Sequence, residues 1–157
     1  MTVSQQVPGG RRLVAGQGAI ILRMGKHLRR GEEEAMASMM RQLGVPIHYT
    51  LHGPATAEGG DLLWLDESTL IAGQGFRTNA AALEQLREAL AGTGVSVIGA
   101  DLPYYTGPDA CLHLGSLISL IDRDLAVIYR PLLPVPFYQL LVERGYELID
   151  VSDEEYM

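Results

Sequence analysis

Short apolar stretches with strand-like alternation are followed by a longer segment of helical spacing, and this order recurs along the chain. Two strands, a helix and a further strand are predicted three times, over about 11–51, 61–100 and 111–151. Gly44, Gly94 and Gly145 lie just beyond the three predicted helices, where αL caps are expected. They are spaced by about 50 residues, a period that is typical of propellers and arrays. The pattern therefore predicts an α/β fold built from a repeated ββαβ unit.

The apolar positions also predict individual elements. In the first helix, one face carries the residues that we expect to fill the core: Ala35, Met36, Met39, Met40 and Leu43. The second helix is predicted over 79–94, with Asn79 as its N-cap. In the third block, the apolar run 111–122 predicts a first strand. Cys111 and His113 would project from the same face of that strand.

Composition narrows the class of protein and its partners. The 157 residues are 47% hydrophobic and 20% charged, which is enough for a single domain over 1–157 with its own core. A net charge of -7, with the acids spread along the chain, argues against nucleic acid as a partner. No apolar run approaches the roughly 18 residues of a membrane span, so a cytoplasmic location is expected.

The first candidate for chemistry is the sequence EGGD, in which Glu58 and Asp61 flank two glycines directly before an apolar strand. In an arbitrary sequence, such residues are a turn acid and a strand-start acid. Glycines also allow a backbone to approach a ligand closely, and a carboxylate is a planar acceptor for a guanidinium fork. Glu58 and Asp61 are therefore candidates for a cation-binding site.

Two further segments contain candidate residues. Arg77, in FRTN, is either a surface residue or a bidentate donor to a substrate carboxylate. His113, in CLHLGS, is either a satisfied core histidine or a proton-transfer group. Cys111 is the only cysteine of the chain, so no intrachain disulfide can form, and with His113 it is a possible nucleophilic couple.

Taken together, EGGD, RTN, CLHLGS and the ββαβ repeat resemble the guanidine-modifying superfamily from about Gly18 to the end of the chain. Its members include dimethylarginine dimethylaminohydrolase, arginine deiminase and the amidinotransferases. The sequence LRRGEE is similar to the segment before the first helix in the dimethylarginine branch. The resemblance implies a pentein, a ring of five ββαβ modules around a polar centre. About three of the five modules are present.

The resemblance also implies roles for particular residues. Glu58 matches the acid that holds and orients the guanidinium group, and Asp61 matches the second acid of the motif. His113 matches the general acid/base, while Arg77 and, in LRRGEE, Arg30 match arginines that bind the substrate's α-carboxylate. A cysteine thiolate attacks the guanidino carbon in this family. The chemistry implies no metal and no organic cofactor.

The chain departs from the family pattern in two places. An upstream acid that helps to bind the guanidinium would fall near Gly10, and the nucleophilic cysteine would follow residue 157. Cys111 matches a position that the family does not use as nucleophile. We therefore expect a partial pentein that is truncated at both ends and that lacks its nucleophile.

The leading interpretation is a cysteine-dependent hydrolase that converts dimethylarginine, or arginine, to citrulline and an amine. Arg77 favours a substrate with a carboxylate over agmatine, which has none. Arginine deiminase and amidinotransferase activities remain alternatives, as does a non-catalytic fragment that acts in binding or assembly. Open ends of a repeat array expose strand edges and apolar faces, so a homo-oligomer is also expected.

Overall fold

The computed structural model describes residues 12–15, 17–109 and 112–156. Gly10 and Cys111, on which two of the sequence expectations depend, lie outside these residues. Helices and strands in the described part of the chain follow the predicted ββαβ order three times. We refer to the three units as modules 1, 2 and 3.

The modules have the same element order and similar lengths. Module 1 comprises β1 (Arg12–Ala15), β2 (Gly18–Ile21), α1 (Glu32–Gln42) and β3 (Ile47–Thr50). Module 2 comprises β4 (Leu62–Asp66), β5 (Thr69–Gln74), α2 (Ala80–Ala89) and β6 (Ser96–Asp101). Module 3 comprises β7 (Ile118–Leu120), β8 (Leu125–Ile128), α3 (Val135–Glu143) and β9 (Glu147–Asp150). A last short helix, α4, follows at Asp153–Tyr156.

Each module forms its own three-stranded sheet. The first two strands pair antiparallel, and the helix then carries the chain to a third strand that pairs parallel with the second. In module 2 the hairpin loop is tight, because Asp66 Oδ1 accepts a hydrogen bond of 2.7 Å from the backbone N–H of Ser68. The observed topology confirms the predicted ββαβ repeat.

The modules are joined through apolar clusters that lie between neighbouring sheets. Leu86 of α2 is buried in one cluster with Ile20 of module 1 and Leu70 of its own sheet. Phe137 of α3 is buried in another cluster with Ile71 of module 2. Helices α2 and α3 therefore pack on two sheets at once, which fixes each module against the one before it.

Polar contacts accompany this packing. Nε2 of His48, on β3, lies 2.7 Å from the carbonyl oxygen of Ala89, at the end of α2. The hydroxyl group of Tyr146, just before β9, donates a 3.0 Å hydrogen bond to the carbonyl oxygen of Leu65 on β4. Both junctions between modules therefore combine buried apolar side chains with hydrogen bonds.

Helix α1 differs from the sequence expectation. Ala37 and Met40 are its buried residues, whereas Met39 and Leu43 of the predicted core face are exposed. The buried pair packs on the sheet of module 1, in one cluster with Ala19 and Ile21. The expectation is confirmed for Met40 and wrong for Ala35, Met39 and Leu43, because, within the described residues, no second sheet covers this helix.

Two other element predictions also need correction. Helix α2 ends at Ala89, well before residue 94, so Gly94 is a turn residue of positive φ rather than the helix cap. In module 3 the first strand begins only at Ile118, after a 3₁₀ turn at Leu114–Ser116. The backbone N–H of Leu114 donates to a side chain, Asp61, and this bond diverts the chain from a strand ladder.

None of the helices in the described ranges has the length and apolar character needed to cross a membrane.

Candidate functional site

Two buried acids lie in the segment that leads into module 2. Glu58 is 2% exposed and Asp61 is also buried, with a 3₁₀ turn at Gly59–Asp61 between the extended backbone of Glu58 and β4. A buried carboxylate is stable only when it is paired with cations or hydrogen-bond donors. The surroundings of these two side chains therefore define the site.

Asp61 accepts hydrogen bonds from three directions. The hydroxyl group of Thr78 donates to its Oδ2 at 2.6 Å, and the backbone N–H of Leu114 donates to its Oδ1 at 3.1 Å. Nδ1 of His113 lies 3.0 Å from the same Oδ1. Asp61 thus connects the segment before module 2 with the segment before module 3, and it orients the histidine ring.

His113 lies between the two acids. Its Nε2 is 3.5 Å from Oε2 of Glu58, on the side of the ring opposite Asp61. The hydrogen bond to Asp61 raises the pKa of His113 above its usual value; burial opposes this shift, while the charges of Asp61 and Glu58 add to it. Arg77 lowers the pKa by a smaller amount. The arrangement favours an imidazolium that can donate a proton from Nε2.

Gly60 makes the close approach of the histidine ring possible. A Cβ atom at this position would lie 2.9 Å from Cγ of His113, closer than side-chain carbons pack. The ring therefore lies against bare backbone, directly above the turn that carries Asp61. This contact explains one of the two glycines in EGGD.

Glu58 is surrounded by positively charged groups. Nη1 of Arg29 lies 3.1 Å from its Oε2, and Nη1 of Arg77 lies 3.6 Å from its Oε1. The backbone N–H of Lys26 donates to Oε1 at 3.2 Å. Arg29 belongs to the connection between β2 and α1, and Arg77 to the corresponding connection of module 2. The carboxylate therefore contacts guanidinium groups of the chain itself.

The structure brings together four of the residues singled out in the sequence: Glu58, Asp61, Arg77 and His113. Arg30 is exposed, and it is the adjacent Arg29 that contacts Glu58. The motif LRRGEE gave no local signal for which of the two arginines turns inward. The 3₁₀ turn at His27–Arg29 decides this orientation.

Sequence analysis also missed Thr78. Its side chain is fully buried, donates to Asp61 and accepts a 3.1 Å hydrogen bond from the backbone N–H of Glu58. Thr78 thereby ties the two acids to the segment that carries Arg77. The sequence signal for Thr78 is its position in FRTN, between Arg77 and the N-cap residue of the helix. A small hydroxyl residue at that position can reach a neighbouring loop.

The three ββαβ modules and this charged cluster define the class of protein: the fold is that of the guanidine-modifying, or pentein, superfamily. The chain is similar to the N-terminal domain of an arginine dihydrolase from the ornithine-ammonia cycle in cyanobacteria, bound to its substrate. The TM-score is 0.78 at 21% identity, over 94% of this chain and 53% of that one. It is also similar to an amidinotransferase from Microseira wollei in the saxitoxin pathway, with a TM-score of 0.72 at 14% identity, over 92% of this chain and 48% of that one.

Sequence comparison then identifies the family. The chain belongs to the arginine deiminase family, whose model matches residues 12–153. An N(G),N(G)-dimethylarginine dimethylaminohydrolase from Streptomyces coelicolor is 31% identical over 118 residues, which are 75% of this chain and 43% of that protein. The chain spans less than half the length of the curated relatives that it matches.

Proposed function

We propose that this chain provides the guanidinium-binding half of a cysteine-dependent hydrolase that converts dimethylarginine to citrulline and an alkylamine. Arginine is the alternative substrate. The observation that carries the proposal is the buried carboxylate of Glu58, which pairs with guanidinium groups of the chain itself and lies 3.5 Å from Nε2 of His113. The similarity to a dimethylarginine dimethylaminohydrolase supports the choice of substrate.

Substrate binding in this proposal is an exchange of cations at Glu58. The guanidinium group of the substrate takes the position next to the carboxylate at which Arg29 contacts Glu58 in this structure. A planar guanidinium and a carboxylate form a bidentate, charge-assisted pair. Arg77 and Arg30 are proposed to bind the α-carboxylate of the substrate, and Asp61 supports the site through His113 and Thr78.

The proposed reaction has two steps at the guanidino carbon. A thiolate adds to this carbon, and the bond to the alkylamine nitrogen breaks as that nitrogen receives the Nε2 proton of His113. Water then adds to the carbon of the covalent thiouronium intermediate while neutral His113 takes its proton. The C–S bond breaks as the remaining hydroxyl proton of the adduct passes to solvent, and citrulline and the thiolate are released. Proton transfer of this kind contributes about 10²–10⁴ in rate.

The thiolate is proposed to come from outside these 157 residues. Cys111 is the only cysteine of the chain, and the family resemblance assigns the nucleophile to a different position. Under this proposal, the remaining modules of a five-module ring supply the nucleophile and a further acid. We also propose a cytoplasmic location and a homo-oligomeric state.

Two other reactions share the first step. An arginine deiminase would release ammonia, and an amidinotransferase would pass the amidino group to an amine instead of water. The lack of a second cysteine in the sequence also favours a non-catalytic role of this chain alone, in binding or assembly. Both reactions and the binding role use Glu58 to hold a guanidinium group, whereas a role in assembly does not.

Calorimetric titration tests this binding role. Dimethylarginine and arginine are expected to bind wild-type protein, whereas ornithine, which lacks the guanidinium group, is not. Glu58→Gln is expected to weaken binding by about tenfold or more, because a charge-assisted hydrogen bond is lost. Glu34→Gln, which removes an equal charge from an exposed position on α1, is the matched control and should bind as wild type does.

Equal affinity of wild type and Glu58→Gln for dimethylarginine would contradict the proposal, as would tight binding of ornithine. Agmatine, which has no carboxylate, should bind more weakly than arginine if Arg77 and Arg30 act as proposed. A citrulline assay on the chain alone should show no turnover. Turnover that disappears in Cys111→Ser would place the nucleophile in this chain after all.

A further inference from the structure

The main chains of modules 1 and 2 are in direct contact beside the candidate site, between Gly25 and Arg77. A Cβ atom at Gly25 would lie 2.7 Å from Cα and 2.9 Å from the carbonyl carbon of Arg77, and it would also meet the carbonyl oxygen. These distances are shorter than those that a real Cβ atom keeps from a main chain. Gly25 does not belong to the described glycines with positive φ, so it is the lack of space that requires glycine at this position.

Hydrogen bonds hold the main chain on both sides of this contact. On the side of module 1, the carbonyl oxygen of Arg23 accepts a 2.8 Å hydrogen bond from the N–H of Ala57. On the side of module 2, the N–H of Asn79 donates a 3.0 Å hydrogen bond to the carbonyl oxygen of Thr56. Because Thr56 and Ala57 are adjacent, one short segment holds both partners. A side chain at Gly25 would therefore displace at least one of these hydrogen bonds.

The contact brings two donors to the same oxygen atom of Glu58. The N–H of Lys26, the residue after Gly25, donates to Oε1 at 3.2 Å. Nη1 of Arg77 lies 3.6 Å from the same oxygen. Oε2 faces His113 on the other side of the carboxylate. The separation of the two main chains therefore determines where both donors lie relative to Oε1.

We propose that Gly25 is a positioning residue: by letting the two main chains touch, it brings the N–H of Lys26 and the guanidinium group of Arg77 to Oε1 of Glu58. The side chain of Arg77 is only 11% exposed, so it has little freedom to compensate for a shift of its main chain. A larger residue at position 25 would displace the arginine that is proposed to bind a substrate carboxylate. Gly25 thereby contributes to the selectivity of the site for ligands with a carboxylate.

The selectivity for a carboxylate rests on the proposed function, whereas the positioning of Arg77 does not. Glu58 and Arg77 interact within the chain itself, and their coupling can be measured without a ligand. Two separate measurements therefore distinguish a failure of this inference from a failure of the proposed function.

Urea unfolding measures the coupling between the two side chains. A double-mutant cycle with Glu58→Gln and Arg77→Met isolates their interaction free energy. The coupling should be favourable in wild type and should be lost when all four proteins of the cycle also carry Gly25→Ala. Gly75→Ala, whose Cβ atom would lie 3.5 Å from Leu102 in an ordinary contact, is the matched control and should keep the wild-type coupling. An unchanged coupling in the Gly25→Ala background would overturn the inference.

Calorimetric titration with arginine and agmatine measures the selectivity. Wild type and Gly75→Ala should bind arginine more tightly than agmatine. In Gly25→Ala this preference should be reduced, and the loss should affect arginine more than agmatine. A full preference in Gly25→Ala would contradict the selectivity role. Equal binding of the two ligands by wild type would also refute that role, together with the proposed carboxylate site at Arg77, whereas the unfolding cycle would still decide the positioning role.

Lys26→Pro is a second variant that tests the same arrangement if Gly25→Ala does not fold. The φ of Lys26 is -71°, a value that proline adopts, so this change removes the N–H donor to Oε1 and adds no side chain at the main-chain contact. Glu58 would lose a donor that orients Oε1, and its coupling with Arg77 should fall. Lys26→Ala keeps the N–H and should keep the coupling. Equal coupling in these two variants would show that the main chain at this position does not arrange the pair.

Discussion

The glycine at position 60 shows how a single missing side chain arranges a proton-transfer group. His113 can bridge Asp61 and Glu58 only because its ring lies against the bare backbone of Gly60. Asp61 then fixes the tautomer, with the proton of Nδ1 directed at its carboxylate and Nε2 facing Glu58. The chemistry of the histidine thus depends on a residue that contributes no functional group.

Replacing this glycine should alter the titration of the histidine. In Gly60→Ala, the new Cβ atom would lie 2.9 Å from Cγ of His113, so the ring must move away from Asp61. Because the hydrogen bond to Asp61 is the largest cause of the raised pKa, we expect the pKa of His113 to fall. A pH titration of the ring resonances by NMR measures this change.

Gly75→Ala is the matched control for this experiment. A Cβ atom at Gly75 would lie 3.5 Å from the side chain of Leu102, which is an ordinary contact, so the pKa of His113 should stay at the wild-type value. If the pKa of His113 in Gly60→Ala equals that in wild type, the close contact with Gly60 does not determine the position of the histidine ring.

The same histidine makes stability depend on pH in a defined direction. Its pKa is higher in the folded chain than the ordinary value of 6.5, so the folded state binds the proton more tightly. The stabilisation is complete below pH 6.5 and is lost as pH rises through the folded-state pKa. Urea unfolding across this range should show the free energy of unfolding of wild type falling relative to that of His113→Gln.

Asp61→Asn should reduce this pH dependence, because the strongest partner of the imidazolium is removed. Asp122→Asn, at an exposed position in the hairpin of module 3, changes the net charge equally and should keep the wild-type profile. A pH dependence of wild type that matches that of His113→Gln would mean that the histidine is not linked to folding.

At the scale of elements, the N-cap of α2 connects helix stability to the site. Oδ1 of Asn79 accepts from the backbone N–H groups of Ala82 at 3.0 Å and of Thr56 at 3.2 Å. Its Nδ2 donates to the carbonyl oxygen of Pro54 at 2.9 Å. The residue therefore caps the helix, as the sequence predicts, and also holds the segment that leads to Glu58.

Loss of this N-cap should lower the free energy of unfolding appreciably, although only one side chain is changed. Asn79→Ala is expected to reduce the free energy of unfolding by about 1–2 kcal/mol, at the upper end for a cap because the amide of Thr56 also loses its side-chain acceptor. Asn79→Asp keeps an acceptor for both amides and should lose less. Urea denaturation measures the free energy of unfolding of both variants. Equal losses would show that the acceptor oxygen of Asn79 does not account for the contribution of this residue to stability.

Elements also show what the sequence could and could not predict. Strand and helix periodicity predicted the ββαβ order, because alternation and helical spacing report directly on which side chains turn inward. The run 111–122 was misread as a strand, since Leu114 and Leu117 are buried from a 3₁₀ turn and its end. Exposure of Met39 on α1 was not predictable either, because periodicity does not show whether a second layer covers a helix.

At the scale of the whole molecule, the site lies where segments of different modules meet. Arg29 lies in module 1, Glu58 and Asp61 in the segment that leads into module 2, and His113 in the segment that leads into module 3. The motif residues of the sequence indicated which side chains form the site. Their convergence depends on the packing of α2 and α3 between sheets, which involves residues distant in sequence.

The contact between Arg29 and Glu58 joins two neighbouring modules, and it therefore bears on the evolutionary origin of such a chain. A lone ancestral ββαβ unit with its leading segment would carry a pair such as Glu58 and Arg77, but not the contacts that Arg29 and His113 make with Glu58 from the neighbouring modules. Tandem duplication would place unlike segments of identical units side by side, and the polar centre would form at the seam between them. Selection on the site would then act on neighbouring repeats together, so that the copies diverged in sequence while their backbones stayed alike.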